Sequence, residues 1–184
     1  MSRRLALVAL PLALLVASLA ACTETARIPP AEPPSATQPL FASDEEALEA
    51  ATAAYEEYLR VIDMTLARPV EDGVAFVDVA SGPALEEAQA SLATFVAEGY
   101  RVTGSRSISD VTLQQRVDLD GSEEVRIYVC ESVANLELLD RNGASLVSPD
   151  RPDLTAFEVA VVISIEESLV NERIVWTGDG LCSA

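Results

Sequence analysis

The feature that most constrains the fold is a change in hydrophobic period at Gly99. Before Gly99, apolar residues recur every three or four positions, which is the spacing of one face of an α-helix. After it, apolar and polar residues alternate, which is typical of half-buried β-strands. Helices followed by strands indicate an α+β domain, with the N-terminal helices packed on a curved antiparallel sheet.

Two helices are predicted before the change of period. The first begins after Ser43, whose hydroxyl caps it while Glu46 completes a capping box, and it ends before Pro69. The second has Pro83 in its first turn and Gly99 as its C-terminal cap. The apolar face of the first helix consists of Leu48, Ala51, Tyr55, Leu59, Ile62 and Leu66.

The alternating region predicts a hairpin centred on Asp120-Gly121. On its returning strand, Val125, Ile127 and Val129 are expected to face the core. On its first strand, one apolar face is expected to consist of Val111, Leu113, Val117 and Leu119. Another tight turn is predicted at Asn142-Gly143, between segments 136–139 and 144–147, and further strands are predicted at 157–165 and 174–177.

The first 21 residues have the pattern of a signal peptide. A basic start precedes an apolar run over 5–19 that is too short for an ordinary membrane span. The run ends in Leu19-Ala20-Ala21-Cys22, which resembles the lipobox of bacterial lipoproteins. In that motif the Cys thiol accepts a diacylglyceryl group and a peptidase cuts just before it. We therefore expect Cys22 to anchor the protein to the extracytoplasmic face of the cell membrane; the alternative is a plain secretory signal.

Residues 22–43 are expected to form a tether between the lipid and the folded domain. Proline-rich segments are extended and semi-rigid, and they do not build a core. The tether would hold the domain, over residues 44–184, away from the bilayer; an unselected spacer is the alternative interpretation. Its prolines are Pro29, Pro30, Pro33, Pro34 and Pro39.

The missing residue types exclude several chemistries. The chain has no His, and all 12 of its bases are Arg because it contains no Lys. Without His there is no Ser-His-Asp or Cys-His catalysis and almost no zinc site. Without Lys there is no Schiff base and no P-loop. The segment Asp118-x-Asp120-Gly121 lacks the spacing of an EF-hand, so a solvated turn is expected there. We therefore predict no metal site and no cofactor.

The charge of the chain also limits its partners. It has 30 acids against 12 bases, a net charge of −18. Removal of the signal segment would take Arg3 and Arg4 but no acid, which makes the net charge −20. Such a surface repels nucleic-acid phosphates and anionic lipid headgroups, whose binding needs clustered Lys or Arg. We expect no nucleic-acid partner, and we expect the acidity to serve solubility.

Two cysteines remain once Cys22 carries lipid. In an oxidising compartment a leftover pair usually forms a disulfide, so we predict a bridge between Cys130 and Cys182. The bridge would fix a Gly-rich segment to the strand that contains Cys130. A reactive thiol is the competing interpretation, but no Lys or His is present to lower a thiol pKa.

Several segments form a recognisable set across roughly residues 44–184. They are a first helix with Tyr55 and Tyr58, then Cys130-Glu131-Ser132, Asp140-Arg141-Asn142-Gly143, Asp150-Arg151-Pro152-Asp153 and a closing Trp176…Cys182. The set resembles a group of uncharacterised actinobacterial lipoproteins, whose domain is similar to the NTF2-like (cystatin-like) cone fold.

Three functions are compatible with that resemblance. The favoured one is a membrane-anchored, non-catalytic module that binds an envelope protein or a small apolar ligand. The second is an isomerase or dehydratase of the ketosteroid-isomerase kind, which uses an Asp base and Tyr or His donors inside the cone. The third is a structural envelope component without a ligand. We assign no catalytic residue, because a fold alone establishes no chemistry. The residues that could line a cavity are Tyr55, Tyr58, Asp63 and Trp176.

Overall fold

The computed structural model of the protein describes residues 39–70, 76–178 and 180–182. The predicted signal segment, Cys22 and most of the Pro-rich tether lie outside these residues. The chain divides into two units, Met1–Thr37 and Gln38–Ala184, and all described residues belong to the second. Within the described ranges, no helix is long and apolar enough to cross a membrane.

Helix α1 spans Asp44–Ala67 and begins where the sequence predicts. The Ser43 hydroxyl accepts a hydrogen bond from the Glu46 N–H at 3.2 Å. The Glu46 carboxylate accepts one from the Ala42 N–H at 2.9 Å, one residue before the donor of a standard capping box. The cap and three acids in the first turn favour a helix start at this position.

Helix α2 spans Gly82–Glu98 and follows a short 3-10 helix, Phe76–Asp78. Gly99 caps its C-terminus in the left-handed conformation, with φ at 68°, as predicted. The helix lies against the last strand of the sheet. The sequence predicts a buried stripe of Leu85, Ala88, Leu92, Phe95 and Val96 on this helix, but of these five α2 buries only Ala88 fully, together with Ala84.

Among the described residues six strands follow, and they confirm the α+β prediction. They are β1 Arg101–Thr103, β2 Ser107–Leu119, β3 Ser122–Ser132, β4 Glu137–Leu139, β5 Leu154–Ile163 and β6 Ser168–Val175. Strands β2, β3, β5 and β6 pair in that order into one antiparallel sheet, and β1 pairs with β4 in a separate ribbon. Helix α1 contacts all four strands of the larger sheet.

The core lies between α1 and the inner face of this sheet. Val125, Ile127 and Val129 of β3 are completely buried, as the alternation predicts. Strand β5 places Val159 opposite Ile127 and Val161 opposite Val125 on the same face. Phe157 lies opposite Val129 at one end of this row, and β-branched side chains fill the centre of the sheet.

Strand β2 contains an irregularity that overturns one prediction. Leu113 pairs with Ile127, but Arg116 pairs with Val125. The two partners share a face, so Leu113 and Arg116 share it as well, although they are three residues apart. The extra residue is a β-bulge, and it turns Val117 to the opposite face from Leu113. The predicted apolar face that joins these two residues is therefore wrong.

The predicted disulfide between Cys130 and Cys182 is present, with the two Cα atoms 5.5 Å apart. Cys130 alternates with Val129 along β3, so its side chain lies on the outer face of the sheet. The segment that ends in Cys182 therefore returns across this outer face. Cys130 is itself completely buried.

Candidate functional site

The inner face of β3 carries charged side chains at both ends. The inward row begins with Glu123, continues through apolar residues and ends with Glu131. Both side chains are almost fully buried, with 1% and 2% exposure. A buried carboxylate is costly unless cations and hydrogen-bond donors surround it, so each acid needs partners inside the protein.

Glu123 finds its partner on the neighbouring strand. Arg116 binds both oxygens of the Glu123 carboxylate. The same guanidinium donates to Asp44 at 2.9 Å and to the Phe41 carbonyl oxygen at 3.2 Å. This ion pair therefore ties the β2–β3 hairpin to the beginning of α1, which is a structural role.

Glu131 has three donors from three different elements. The Tyr55 hydroxyl of α1 donates to Glu131 Oε2 at 2.7 Å, and Arg173 Nη2 of β6 donates to the same oxygen at 2.8 Å. Arg106 Nε lies 3.3 Å from Oε1. Arg173 Nε also donates to the Tyr55 hydroxyl oxygen at 2.8 Å. The carboxylate thus joins α1, β6 and the segment before β2.

Asp63 extends the cluster along α1. Its Oδ1 accepts from Arg106 Nη1 at 2.7 Å, and its Oδ2 accepts from the Arg106 backbone N–H at 2.8 Å. Arg106 therefore bridges Asp63 and Glu131. The five residues Tyr55, Asp63, Arg106, Glu131 and Arg173 are called the interior network below.

Burial controls the proton affinities inside the network. It raises the pKa of Tyr55 well above the ordinary value, against the influence of Arg173. Burial also raises the pKa of Asp63, opposed by the hydrogen bond and charge of Arg106. Burial opposes the charged form of Arg173, but Tyr55 and Glu131 outweigh it and raise the pKa of that residue. At neutral pH the phenol is therefore neutral and the guanidinium charged.

The geometry leaves Glu131 poorly suited to proton transfer. A general base must present a free lone pair within hydrogen-bond reach of its substrate. Both oxygens of Glu131 instead face arginines, and one of them also accepts from Tyr55. Arg173 is held further by the Phe157 ring, whose centroid lies 3.6 Å from the guanidinium carbon. The arrangement stabilises fixed charges.

A small cavity of about 60 Å³ adjoins the network. Arg106 and Arg173 line it, together with Tyr58, Glu87 and Ser91. Pockets for drug-sized ligands usually have about 300–1,000 Å³. The cavity is therefore too small for a ligand such as a steroid.

A larger depression lies on the outside of α1. It has about 520 Å³ and is bounded by the C-terminal half of α1 and the segment 104–108. The Asp63–Arg106 ion pair lies at its base, and Met64 projects beside it with 61% of its side chain exposed. We call this depression the α1 groove. It is large enough to receive side chains of a partner.

The structure brings together three of the four residues predicted to line a cavity. Tyr55 and Asp63 belong to the interior network, and the Tyr58 ring stacks on Tyr55 with centroids 5.9 Å apart. Trp176 is not among them. It packs on Tyr128, on the outer face of the sheet, with ring centroids 4.6 Å apart.

Sequence reasoning missed the three residues that complete the network. Glu131 was detectable, because it continues the inward alternation that begins with Val125 and Ile127. Arg106 and Arg173 gave no such signal. Arg106 lies just before β2. Arg173 is 42 positions away from Glu131 in the chain, and the two meet only in the folded structure.

Comparisons with known proteins do not identify a family for this chain. No family model matches the chain, and no curated protein matches it. Among solved structures, the intermembrane space region of the chloroplast protein ARC6 is similar to this chain, with a TM-score of 0.49 and 13% sequence identity. The likeness covers 71% of this chain and 97% of that one.

Proposed function

We propose that the protein is a lipid-anchored, non-catalytic binding module at the extracytoplasmic face of the cell membrane. The observation that carries the proposal is the buried Glu131 carboxylate, which is enclosed by donors from the protein itself. Beside this carboxylate the described residues leave a cavity of about 60 Å³, which is too small for a drug-sized substrate. Partners would therefore bind at the outer surface, and the α1 groove is a concave part of that surface.

The proposed fold class is the NTF2-like (cystatin-like) cone. Two N-terminal helices packed on a four-stranded antiparallel sheet support it. The interior of such a cone corresponds to the space between α1 and the inner face of β3. In this chain the interior network and the two stacked tyrosines fill that space.

Two features support the proposed location. The apolar run that ends in Leu19-Ala20-Ala21-Cys22 resembles a lipobox, and Cys22 is the residue that would receive lipid. The Cys130–Cys182 disulfide is the kind of bond that persists outside the reducing cytosol.

The isomerase or dehydratase alternative receives less support. Such an enzyme needs a carboxylate free to take a proton from a substrate held in the cavity. Asp63 is bound through both of its oxygens by Arg106, and Glu131 is bound by two arginines. Neither acid is among the residues that line the small cavity.

Metabolic labelling tests the anchor. Cells that produce the wild type or Cys22→Ser are grown with a fatty-acid analogue that can be detected in gels. We expect label on the wild type alone, because the thiol of Cys22 is the proposed acceptor. Equal label on both proteins would contradict lipidation at this residue.

A steroid assay tests the absence of isomerase activity. The purified wild type is mixed with a β,γ-unsaturated ketosteroid, and the absorbance of the conjugated product is followed. We expect the rate to equal that of buffer and of Glu131→Gln. Activity in the wild type that Glu131→Gln loses would establish the enzyme alternative instead.

A further inference from the structure

Apolar side chains form part of the lining of the α1 groove, and two of them, Ala67 and Ile108, are only partly buried. Leu59 and Ala67 of α1 line it from one side and Ile108 of β2 from the other. Met64 stands at its rim with more than half of its side chain exposed. A flexible, exposed methionine beside an apolar depression is typical of protein-binding surfaces.

The cations that line the groove are already neutralised. Both oxygens of Glu57 accept hydrogen bonds from the Arg60 guanidinium. Arg106 is bound by Asp63 and approached by Glu131. Glu56 also lines the groove, and it has no ion pair within the described part of the chain. The net charge that a bound partner would meet at the α1 groove is therefore negative.

The negative charge continues along one stripe of α1. Glu45, Glu49 and Glu56 are all exposed and fall within about 40° of each other around the helix at ideal pitch. Their spacings of four and seven residues correspond to about 6 and 10 Å along the axis. None of the three forms an ion pair among the described residues. The stripe leads toward the groove from the N-terminal half of the helix.

We propose that the α1 groove binds a cationic amphipathic segment of another extracytoplasmic protein. An apolar side chain of the partner occupies the groove beside Met64, and its Lys or Arg residues lie over Glu56 and Glu49. A helix-in-groove complex has this pattern, with apolar anchors on one face of the bound segment. The inference rests on the proposed binding function and specifies its partner.

Charge complementarity selects this occupant over two others. A second copy of the chain would bring its own acidic stripe against the same stripe in a symmetric dimer, and like charges placed face to face repel. An anionic lipid surface would be repelled for the same reason. A segment rich in Lys or Arg gains attraction from every unpaired acid on the stripe.

A peptide-binding experiment tests the proposal on the mature lipidated protein in vesicles of uncharged phosphatidylcholine. The probe is a fluorescein-labelled helical peptide with Lys at every fourth position and Leu at one end, followed by fluorescence anisotropy. We expect saturable binding that weakens about tenfold in Met64→Ser and about tenfold in the double variant Glu49→Gln, Glu56→Gln. Empty vesicles and a peptide with Glu in place of Lys should give no binding.

Matched variants distinguish the groove from general attraction to an acidic protein. Ile165 is 90% exposed in the turn between β5 and β6, and Glu166 is its exposed neighbour. Ile165→Ser and Glu166→Gln should leave the affinity within about twofold of the wild type. Equal weakening by groove and control variants would overturn the proposal.

Other results would also overturn it. These are an absence of binding, unchanged affinity for a peptide with Ser in place of Leu, or self-association of the protein that Met64→Ser abolishes. Melting temperatures of all variants establish that each is folded. Fatty-acid labelling and the steroid assay are independent of the groove, so a failed peptide test leaves the proposed anchored, non-catalytic module standing.

Discussion

Among single residues, Glu131 has the greatest influence on the interior. Transfer of a carboxylate from water into a protein costs several kcal/mol, which only close cations and hydrogen bonds can offset. Glu131 receives both from Tyr55, Arg106 and Arg173. The arginines depend on it in turn, because without its charge Arg106 keeps only Asp63, and Arg173 only Glu87, as an ionic partner.

Glu131→Gln should lower the free energy of unfolding by about 3–5 kcal/mol, because the largely buried Arg173 then keeps only the half-exposed Glu87, 3.6 Å away, as an ionic partner. Chemical denaturation measures the change. The matched control is Glu124→Gln, which removes one of three carboxylates around Arg126 on the outer face of the sheet. Because that site is partly exposed to solvent, Glu124→Gln should lower the free energy of unfolding by about 1 kcal/mol or less. Similar losses in both variants would contradict the special position of Glu131.

Gly104 positions the segment that supplies Arg106. Its φ is 86°, and a Cβ added there would lie 1.8 Å from the Asn135 carbonyl oxygen. Gly121, in the β2–β3 turn, has a φ of 81° and open space around the same position. Both glycines have a positive φ, which L side chains rarely adopt. A Cβ would clash with a neighbouring backbone atom at Gly104 but would meet nothing at Gly121.

Gly104→Ala should therefore destabilise the protein more than Gly121→Ala does. The control, Gly121→Ala, should lower the free energy of unfolding by about 1–2 kcal/mol, because of the left-handed backbone alone. Gly104→Ala adds displacement of the backbone at Asn135, so its cost should exceed that of the control by at least about 2 kcal/mol. Thermal melts of both variants measure the difference, and equal melting temperatures would show that segment 104–106 adjusts freely.

At the scale of elements, local signals predicted the fold well where the structure is local. Ser43 and Gly99 fixed helix ends through caps that involve residues a few positions away. The alternation of β3 predicted its buried row. The bulge in β2 escaped prediction because an extra residue is defined only against the partner strand. The network escaped because Arg173 approaches Glu131 through tertiary structure, and periodicity contains no information on such contacts.

The C-terminal segment supplies a second test at this scale. Its disulfide joins cysteines 52 residues apart, so Cys182→Ser should lower the free energy of unfolding by about 4 kcal/mol in the chain-entropy model. Trp176 is the single Trp of the chain and packs on Tyr128, so its fluorescence reports on the segment. Reduction of the wild type should reproduce the melting temperature of the variant. An unchanged melting temperature in both cases would contradict a stabilising bridge.

At the scale of the whole molecule, the charge is concentrated on the helices. Helix α1 contains seven acids and one base, Arg60, while α2 contains three acids and no base. Self-repulsion of this kind favours solubility and opposes compaction. In the sheet the acids are partly offset, because Arg126 forms ion pairs with three glutamates on the outer face.

Added NaCl should therefore raise the melting temperature of the protein at neutral pH, because salt screens the repulsion between exposed acids. Divalent metal ions or nucleotides at the same ionic strength should add nothing further, since the chain has no His and no Lys. Thermal unfolding over a concentration series separates the two effects. A saturable rise with one metal or nucleotide would indicate a specific site and contradict the expectation.

The acids at the two ends of the inner row of β3 also determine how the sheet can assemble. A slip of the strand by two residues would keep Val and Ile on the inner face, so hydrophobicity hardly distinguishes that register from the native one. The slip would, however, take Glu131 out of its place opposite Thr155, where Tyr55, Arg106 and Arg173 reach its carboxylate, and it would separate Glu123 from Arg116. Cys130 would leave its position beside Ala156 and miss Cys182. The buried charges thus make one alignment of the strands far more favourable than its near-equivalents.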